Sequence, residues 1–339
     1  MEYDLGKGEM AISSESVPLL VELAQRGVIS KTDALLQYFL EDVVRQHAGK
    51  ILFQASHENT ALDTLLGWCD EFRERRLRLN ANWKSRMLLQ RSRADGLCLF
   101  NGELRQEEKI AGVLEAYTSA NDPEEQRLLS GRIISRLEHM YEYWFEYMKG
   151  QPVTVALAFE SSASPYKDAF LDHQLEAVMR AALTAMENGW EPRTEIVITN
   201  PAEAAGFRML REWIDTVAEQ TLWAYFRSVP YRVGALLSAD RASSAAAGEL
   251  AYHTDLLFID YTQSFPDHVI KYLLELEDII TSVRSIRPEM EVWVIFSHME
   301  DHMESVFQAG VTGIVCPPSE AALFKLRDAQ KILRQNHDK

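Results

Sequence analysis

The chain has 339 residues, 47% of them hydrophobic, and its 35 lysines and arginines against 51 aspartates and glutamates give a formal net charge of −16. This length allows one large core, or one core with a small appendage. A chain this acidic has no electrostatic footprint for nucleic acid or for an anionic membrane surface. We therefore expect no nucleic acid and no membrane among its partners.

Three further features favour a cytoplasmic protein. The longest apolar runs are about seven or eight residues, far short of the roughly 20 that a transmembrane helix needs. The N-terminal segment lacks the basic-then-apolar order of a signal peptide. The cysteines, Cys69, Cys98 and Cys316, show no metal-binding spacing and indicate reduced structural thiols.

Residues 1–76 form the first predicted domain, a helical extension. Apolar periodicity predicts helices over residues 17–25, 31–47 and 62–75. Ser30, followed three residues later by Asp33, resembles a capping box with Asp in place of Glu or Gln.

Residues 77–339 form the second predicted domain, in which eight short apolar segments alternate with helical ones. The predicted strands cover residues 77–80, 96–100, 153–159, 195–198, 231–237, 256–259, 292–296 and 313–316. This count and length are typical of an α/β fold, the (β/α)8 or TIM barrel. A doubly wound open sheet would also alternate, but it would need a glycine fingerprint after the first strand, which is missing.

Active sites of such barrels lie at the carboxyl ends of the strands. Residues 231–265 show this arrangement most clearly, as strand 231–237, helix 241–252 and strand 256–259. Small or polar side chains follow each strand, including Ser238 after the first and Asp260 after the second.

Several segments carry a family resemblance, in a shared order over about 300 residues. They read GVISKTDALLQ, LLGWCDEFRERRLRLNAN, ADGLCLFNGE, GQPVTVALAF, the stretch 231–263 and GVTGIVCPPSEAALFKLRDAQ. Together they resemble the C-terminal phosphoenolpyruvate/pyruvate-binding barrel of pyruvate phosphate dikinase, a phosphoenolpyruvate-utilising enzyme. The resemblance implies phosphotransfer between phosphoenolpyruvate and a histidine on a swivelling domain, at a barrel site that holds Mg²⁺.

By this resemblance, three residues of the chain match functional residues of the family. Arg78 matches the arginine of the first strand, Glu103 an acid after the second, and Arg241 an arginine after the fifth. The chemistry needs such cations to neutralise a phosphate and an enolate, and carboxylates to hold the metal.

Most other positions are replaced. Asn101 and Ala156 stand where the family has arginines, Phe159 where it has an acid, and Ser238 where it has the metal-binding glutamate. The family's Asn-Asp pair after strand six falls on Thr262 and Gln263, or with a short deletion its nearest acid is Asp260. No cysteine follows strand seven to supply the family's acid.

The family's phosphohistidine domain is also missing, because only about forty residues separate the linker helix from Arg78. Ser56 and His57 resemble the family's T-S-H motif but lack its glycine-rich approach. We expect no counterpart of the family's nucleotide-binding domain in this sequence. We therefore expect no cofactor, with the ligands of the family's Mg²⁺ replaced.

The first functional hypothesis is a catalytically degenerate barrel that works as a binding or regulatory protein. Its ligand would be a small carboxylate or phosphate, or a protein partner. The candidate ligand-binding residues are Arg78, Asn101, Ser238, Arg241 and Gln263. Structural alternatives remain for two of them: a salt bridge for Arg78, and a surface position across Asp240 for Arg241.

Two enzymatic hypotheses stay open beside it. One is altered chemistry carried by Arg78, Glu103, Asp260 and His298, and the other is residual phosphoenolpyruvate/pyruvate phosphotransfer with a histidine from a partner chain. Polar side chains converging on the barrel mouth would favour an enzyme. A mouth filled by Phe159, Tyr261 and Phe296 would argue against one.

A new metal site is a weaker alternative. His298 and His302 are four apart and so lie on one helix face. With Asp260 or Glu160 they would suit Zn or Fe. The alternatives are a pair of ordinary surface histidines and an Asp260 that caps a turn.

Two aromatic-rich helices, residues 139–149 and 213–227, carry more large apolar side chains than one buried stripe needs. Such a surplus is typical of an interface or of packing against the N-terminal helices. Because the resembled family dimerises through its barrel, we expect a homodimer.

Overall fold

A computed structural model describes residues 17–37, 60–81, 94–100, 108–157, 169–262, 266–296, 306 and 308–337. By their contacts, these residues form two compact units. The first contains the described residues up to Arg76 and from Pro318 onward, and the second those between Leu77 and Pro317.

The first unit is helical. Its elements are α1 (Val17–Gln25), α2 (Lys31–Gln37), α3 (Thr60–Phe72), a 3-10 turn (Pro318–Glu320) and α10 (Ala321–His337). At the start of α2, Ser30 Oγ accepts from the Asp33 amide at 3.0 Å, and Asp33 Oδ2 accepts from the Ser30 amide at 3.2 Å. This reciprocal pair confirms the predicted cap, with Asp in the role of Glu.

A buried ion pair ties α10 to α3 within this unit. Lys325 Nζ lies 2.8 Å from Asp70 Oδ2, with its side chain 2% exposed. One turn later, Asp328 Oδ2 accepts from the amides of Glu74 and Arg75 at 3.0 and 2.9 Å. By these contacts α10, which the sequence places in domain 77–339, belongs with the N-terminal helices.

The second unit is a closed parallel barrel whose strands follow one another in chain order. They are β1 (Arg76–Ala81), β2 (Gly96–Phe100), β3 (Pro152–Leu157), β4 (Arg193–Thr199), β5 (Tyr231–Ser238), β6 (Leu256–Asp260), β7 (Glu291–Ile295) and β8 (Gly313–Cys316). The predicted TIM barrel is confirmed, and each predicted strand overlaps the observed one.

Helices connect these strands. They are α4 (Glu108–Ser119), α5 (Pro123–Met148), α6 (Ala169–Glu187), α7 (Ala204–Leu222), a 3-10 turn (Trp223–Tyr225), α8 (Ser244–Ala251) and α9 (Pro266–Ile286). The predicted Asp122-Pro123 start of α5 is confirmed, since the Asp122 side chain accepts from the Glu124 amide.

Two predicted helices end or begin elsewhere. The helix predicted through residue 227 stops at Leu222, because Trp223 adopts φ 47°, outside the right-handed helical region. The helix predicted from residue 241 begins at Ser244, where the Ser243 hydroxyl accepts from the Ala246 amide at 3.2 Å.

Several aromatic side chains of α5 are buried by packing within the chain itself. Tyr141, Trp144 and Phe145 are buried, and Gln174 of α6 donates to the Tyr141 hydroxyl at 2.9 Å. The α5 stripe therefore packs along α6. In the second aromatic segment Trp223 is 84% exposed, and an interface there stays a prediction, as does the homodimer.

No helix in the described ranges combines the length and the apolar character needed to cross a membrane. The three cysteines are free and buried.

Gly234 in β5 allows β6 to approach closely. A Cβ added there would lie 2.8 Å from Leu256 Cγ and 2.9 Å from the Leu256 carbonyl oxygen. Gly131 in α5 has nothing within 4 Å of its added Cβ.

We predict that Gly234→Ala lowers the free energy of unfolding by about 1–3 kcal/mol through overpacking. Gly131→Ala is the control and should raise it by roughly 0.5–1 kcal/mol, because alanine favours a helix interior. Urea unfolding curves measure both. Equal effects of the two substitutions would contradict the close approach.

Candidate functional site

The barrel interior holds charged side chains near the amino ends of its strands. Arg78 of β1 contacts Glu195 of β4 and Glu291 of β7, strands that are not its neighbours in the sheet. These contacts must therefore cross the lumen. We define the interior polar cluster as Arg78, Thr154, Glu195, Arg232 and Glu291.

Arg78 and Glu195 form the centre of this cluster, and the side chain of each is only 2% exposed. Arg78 Nη1 donates to Glu195 Oε2 and to Thr154 Oγ1 at 2.8 Å, while Nη2 donates to Glu195 Oε1 at 3.2 Å. Thr154 Oγ1 donates in turn to Glu195 Oε2 at 2.8 Å. The guanidinium thus engages the carboxylate through both of its oxygens.

Glu291 connects the second arginine to the cluster. It accepts from Arg232 Nη1 at 3.1 Å and from the Trp293 indole at 3.0 Å, and its Oε2 lies 3.5 Å from Arg78 Nη2. The Arg78 guanidinium carbon also lies 3.9 Å from the Trp293 ring centroid, a cation–π geometry. The formal charges of two arginines and two glutamates cancel.

The surroundings shift two pKa values in the cluster. Burial alone would raise the pKa of Glu291, but hydrogen bonds from Arg232 and Trp293 and the charges of Arg232 and Arg78 lower it below its usual value. Burial acts to lower the pKa of Arg78, yet the charge and hydrogen bonds of Glu195, with Glu291, raise it overall. Both shifts favour the charged forms.

Apolar side chains lie between the cluster and the carboxyl ends of the strands. They include Ala156, Val197, Leu236, Ile295 and Val315. The cavity among these residues measures only about 10 Å³, about the minimum for one water molecule. Burial raises the pKa of the Cys98 thiol beside it to about 11, so this thiol is neutral near pH 7.

At the carboxyl edge, the ends of β4 and β5 are joined by Asn200 and Ser238. Asn200 Oδ1 accepts from the Ser238 amide at 2.8 Å and from the Ser238 hydroxyl at 3.1 Å. The Asn200 amide donates to the Leu236 carbonyl at 2.7 Å, with φ 45°, a left-handed conformation that Asn tolerates. This pair carries no net charge.

Asp260 ends β6, level with Ser238 in the strand register. Its Oδ1 accepts from the Thr262 amide at 2.8 Å, the pattern of an Asx turn. The structure therefore brings Ser238 and Asp260 to adjacent strand ends and gives Asp260 a turn-capping contact.

Two of the three aromatic residues considered for the barrel mouth stack on each other. The Tyr261 and Phe296 rings lie 5.5 Å apart at 16°, and Tyr261 is only 5% exposed. The third residue, Phe159, lies outside the described residues.

Arg78 and Arg241 do not meet. Arg78 lies in the amino-terminal half of the barrel with Glu195, whereas Arg241 is exposed after β5 and its amide donates to the Ser238 carbonyl at 2.9 Å. Because α8 begins at Ser244, the predicted position of Arg241 at a helix start is wrong.

Several predicted site residues lie outside the described residues: Asn101, Glu103, Glu160, Gln263, His298 and His302. In the part of the chain that the structure describes, no three His, Cys, Asp or Glu side chains are grouped so that they could hold a metal ion.

Glu195 and Glu291, the partners of Arg78, were not predicted from the sequence. Strand alternation offered a signal, because Glu195 shares its face with the buried Val197 two residues later. A charged residue on an interior face needs a partner. The partner itself could not be read from spacing, since Arg78 and Glu195 are 117 residues apart.

Similarity to known proteins is found only among solved structures. No protein-family model and no curated protein sequence matches the chain. Dihydrodipicolinate synthase from Oceanobacillus iheyensis is similar at a TM-score of 0.40 and 12% identity, over 80% of this chain and 77% of that one.

Two other solved structures are similar to the same degree. GH26C from Muricauda sp. matches at a TM-score of 0.43 and 8% identity, over 75% of this chain and 81% of that one. The aldolase QR15 matches at a TM-score of 0.39 and 9% identity, over 79% of this chain and 98% of that one. Likeness at this level carries no inference about activity.

We predict that Glu195→Gln lowers the free energy of unfolding by about 3–5 kcal/mol, because it removes the carboxylate that pairs directly with the buried Arg78 and leaves only the more distant Glu291 as its counter-charge. The control is Glu176→Gln, which removes an exposed pair with Arg180 on α6 and should cost at most about 1 kcal/mol. Urea unfolding measures both. A loss below 1 kcal/mol for Glu195→Gln would contradict the buried pair.

We also predict an acid dependence carried by Glu291. Its pKa is lower in the folded chain than its usual value, so its contribution to stability is present above that usual value, about 4.3, and is lost as the pH falls through the folded value. At pH 6 the Glu291→Gln variant should have a lower free energy of unfolding than wild type. This difference in unfolding free energy should become smaller as the pH is lowered towards about pH 3. A difference that widens on acidification would contradict the shift.

Proposed function

We propose that this chain is a degenerate barrel related to phosphoenolpyruvate-utilising enzymes, which does not carry out their phosphotransfer and works as a binding or regulatory protein. The observation that carries the proposal is the pairing of Arg78 with Glu195 inside the barrel. Arg78 is the arginine that the resemblance would assign to the phosphate.

This pairing opposes phosphate binding at Arg78. The guanidinium already has Glu195, Thr154 and the Trp293 ring as partners. A phosphate would have to displace Glu195 from Arg78 and leave its carboxylate with only Arg232, 3.7 Å away, as a cation partner, and losing a direct ion pair costs several kcal/mol at a buried position. The 10 Å³ cavity beside the cluster is also far below the roughly 300 Å³ of small-molecule sites.

The positions that match the family's metal ligand and its strand-three arginine support the same proposal. Ser238 shares its hydroxyl with Asn200, and Ala156 is 4% exposed in the apolar layer. A hydroxyl and a methyl group cannot replace the carboxylate and guanidinium that metal-assisted transfer needs.

The ligand class we propose is a small carboxylate or phosphate at the carboxyl edge. Arg241 leaves an exposed guanidinium there, a group that suits an anion. Mg²⁺ is not needed for this kind of binding.

Thermal unfolding with oxalate, pyruvate and phosphoenolpyruvate, each with and without Mg²⁺, tests the proposal. We expect at least one anion to stabilise the chain, by about 2.7 kcal/mol at a hundredfold excess over Kd, with no dependence on Mg²⁺. Arg241→Gln should reduce the shift, while Arg227→Gln, which removes another exposed arginine, should leave it unchanged.

Two outcomes would contradict the proposal in different ways. Stabilisation by oxalate that requires Mg²⁺ would show that a metal site survives. Failure of all three anions, each tested well above millimolar concentration, would rule out the proposed ligand class.

A further inference from the structure

A groove lies between α5 and α6, where both helices end. Its volume is about 310 Å³. It is lined by Glu142, Glu146, Thr184, Ala185, Asn188 and Trp190. The size is at the lower end of the range for small-molecule sites, so the groove suits a small ligand.

The electrostatics of this groove favour a cation. Glu142 and Glu146 are four apart on α5 and so project from one helix face. Both lie in the last two turns of α5, and Thr184 lies in the last turn of α6. The carboxyl ends of helices carry partial negative charge, which adds to that of the two carboxylates.

An aromatic ring and an internal cation add a second observation. Lys149, the left-handed cap of α5 with φ 45°, places its ammonium group 5.9 Å from the Trp190 ring centroid. This is a cation–π distance. The Trp190 ring, which lines the groove, therefore already has an alkylammonium group within cation–π distance in this chain.

We propose that the groove binds a small aliphatic amine. Glu142 and Glu146 hold its ammonium groups, the Trp190 ring packs against its methylene chain and cation, and Thr184 and Asn188 supply neutral polar contacts. This site stands on observations separate from those behind the proposed anion-binding function, and either can fail without the other.

Isothermal titration calorimetry of the whole chain with 1,4-diaminobutane tests the proposal at 0.15 M NaCl. We expect saturable binding at one site. The neutral analogue 1,4-butanediol, of similar shape, should show no binding at the same concentrations. Equal heats from the two compounds, or no saturation by the diamine up to about 10 mM, would overturn the proposal.

Matched double substitutions separate the groove from the general negative charge. Glu142→Gln with Glu146→Gln should weaken the Kd about tenfold, because it removes the exposed Glu146 carboxylate and the half-buried Glu142 carboxylate, which lies 3.0 Å from His139 Nδ1. Glu124→Gln with Glu125→Gln, which removes the same charge from the first turn of the same helix, should change the Kd less than twofold. Equal weakening by the two pairs would overturn the proposal.

Lys149 and Trp190 provide the sharpest test. Lys149→Asn keeps a residue that tolerates the left-handed conformation but removes the competing ammonium group, so the Kd should tighten about threefold. Trp190→Leu should weaken it by a similar factor. Weaker binding by Lys149→Asn would show that no ligand competes for this position.

Discussion

The barrel depends on how its charged residues are accommodated inside a closed sheet. Arg78 and Glu195 stand on strands that are not neighbours in the sheet, and both are almost fully buried. Neither charge could remain there alone, because an unpaired buried ion costs several kcal/mol. Gly96 leaves room for the Arg78 side chain, since a Cβ at that position would lie 3.1 Å from Arg78 Cγ. The ion pair thus constrains which residues the neighbouring strands can carry.

This constraint also separates the two ends of the barrel. The cations lie with their counter-charges near the amino ends, an apolar layer follows, and the neutral pair of Ser238 and Asn200 joins two strands at the carboxyl edge. A barrel enzyme usually concentrates charged groups at that edge. Among the described residues, the buried ion pairs lie near the amino ends, where they stabilise the fold, while Asp260 and the exposed Arg241 lie at the carboxyl edge.

Much of the fold could be predicted because its signals are local. Short apolar runs mark the strands, and the Ser30 and Asp122 caps mark helix starts, since each pattern involves residues three or four apart. The predicted start of α8 at Arg241 was wrong because Ser243 caps the helix, which therefore begins at Ser244. The candidate site was less predictable, because a side chain's role depends on partners that are distant in sequence.

The sequence by itself determined the class of fold, because the spacing of its apolar residues predicts eight strands that alternate with helices. The family resemblance, and with it the replacement of chemically active residues at Ala156 and Ser238, stays a prediction from the sequence. Only the tertiary structure decided what Arg78 does. Its carboxylate partner lies 117 residues away, and only closure of the barrel brings β1 and β4 within hydrogen-bonding distance across the lumen.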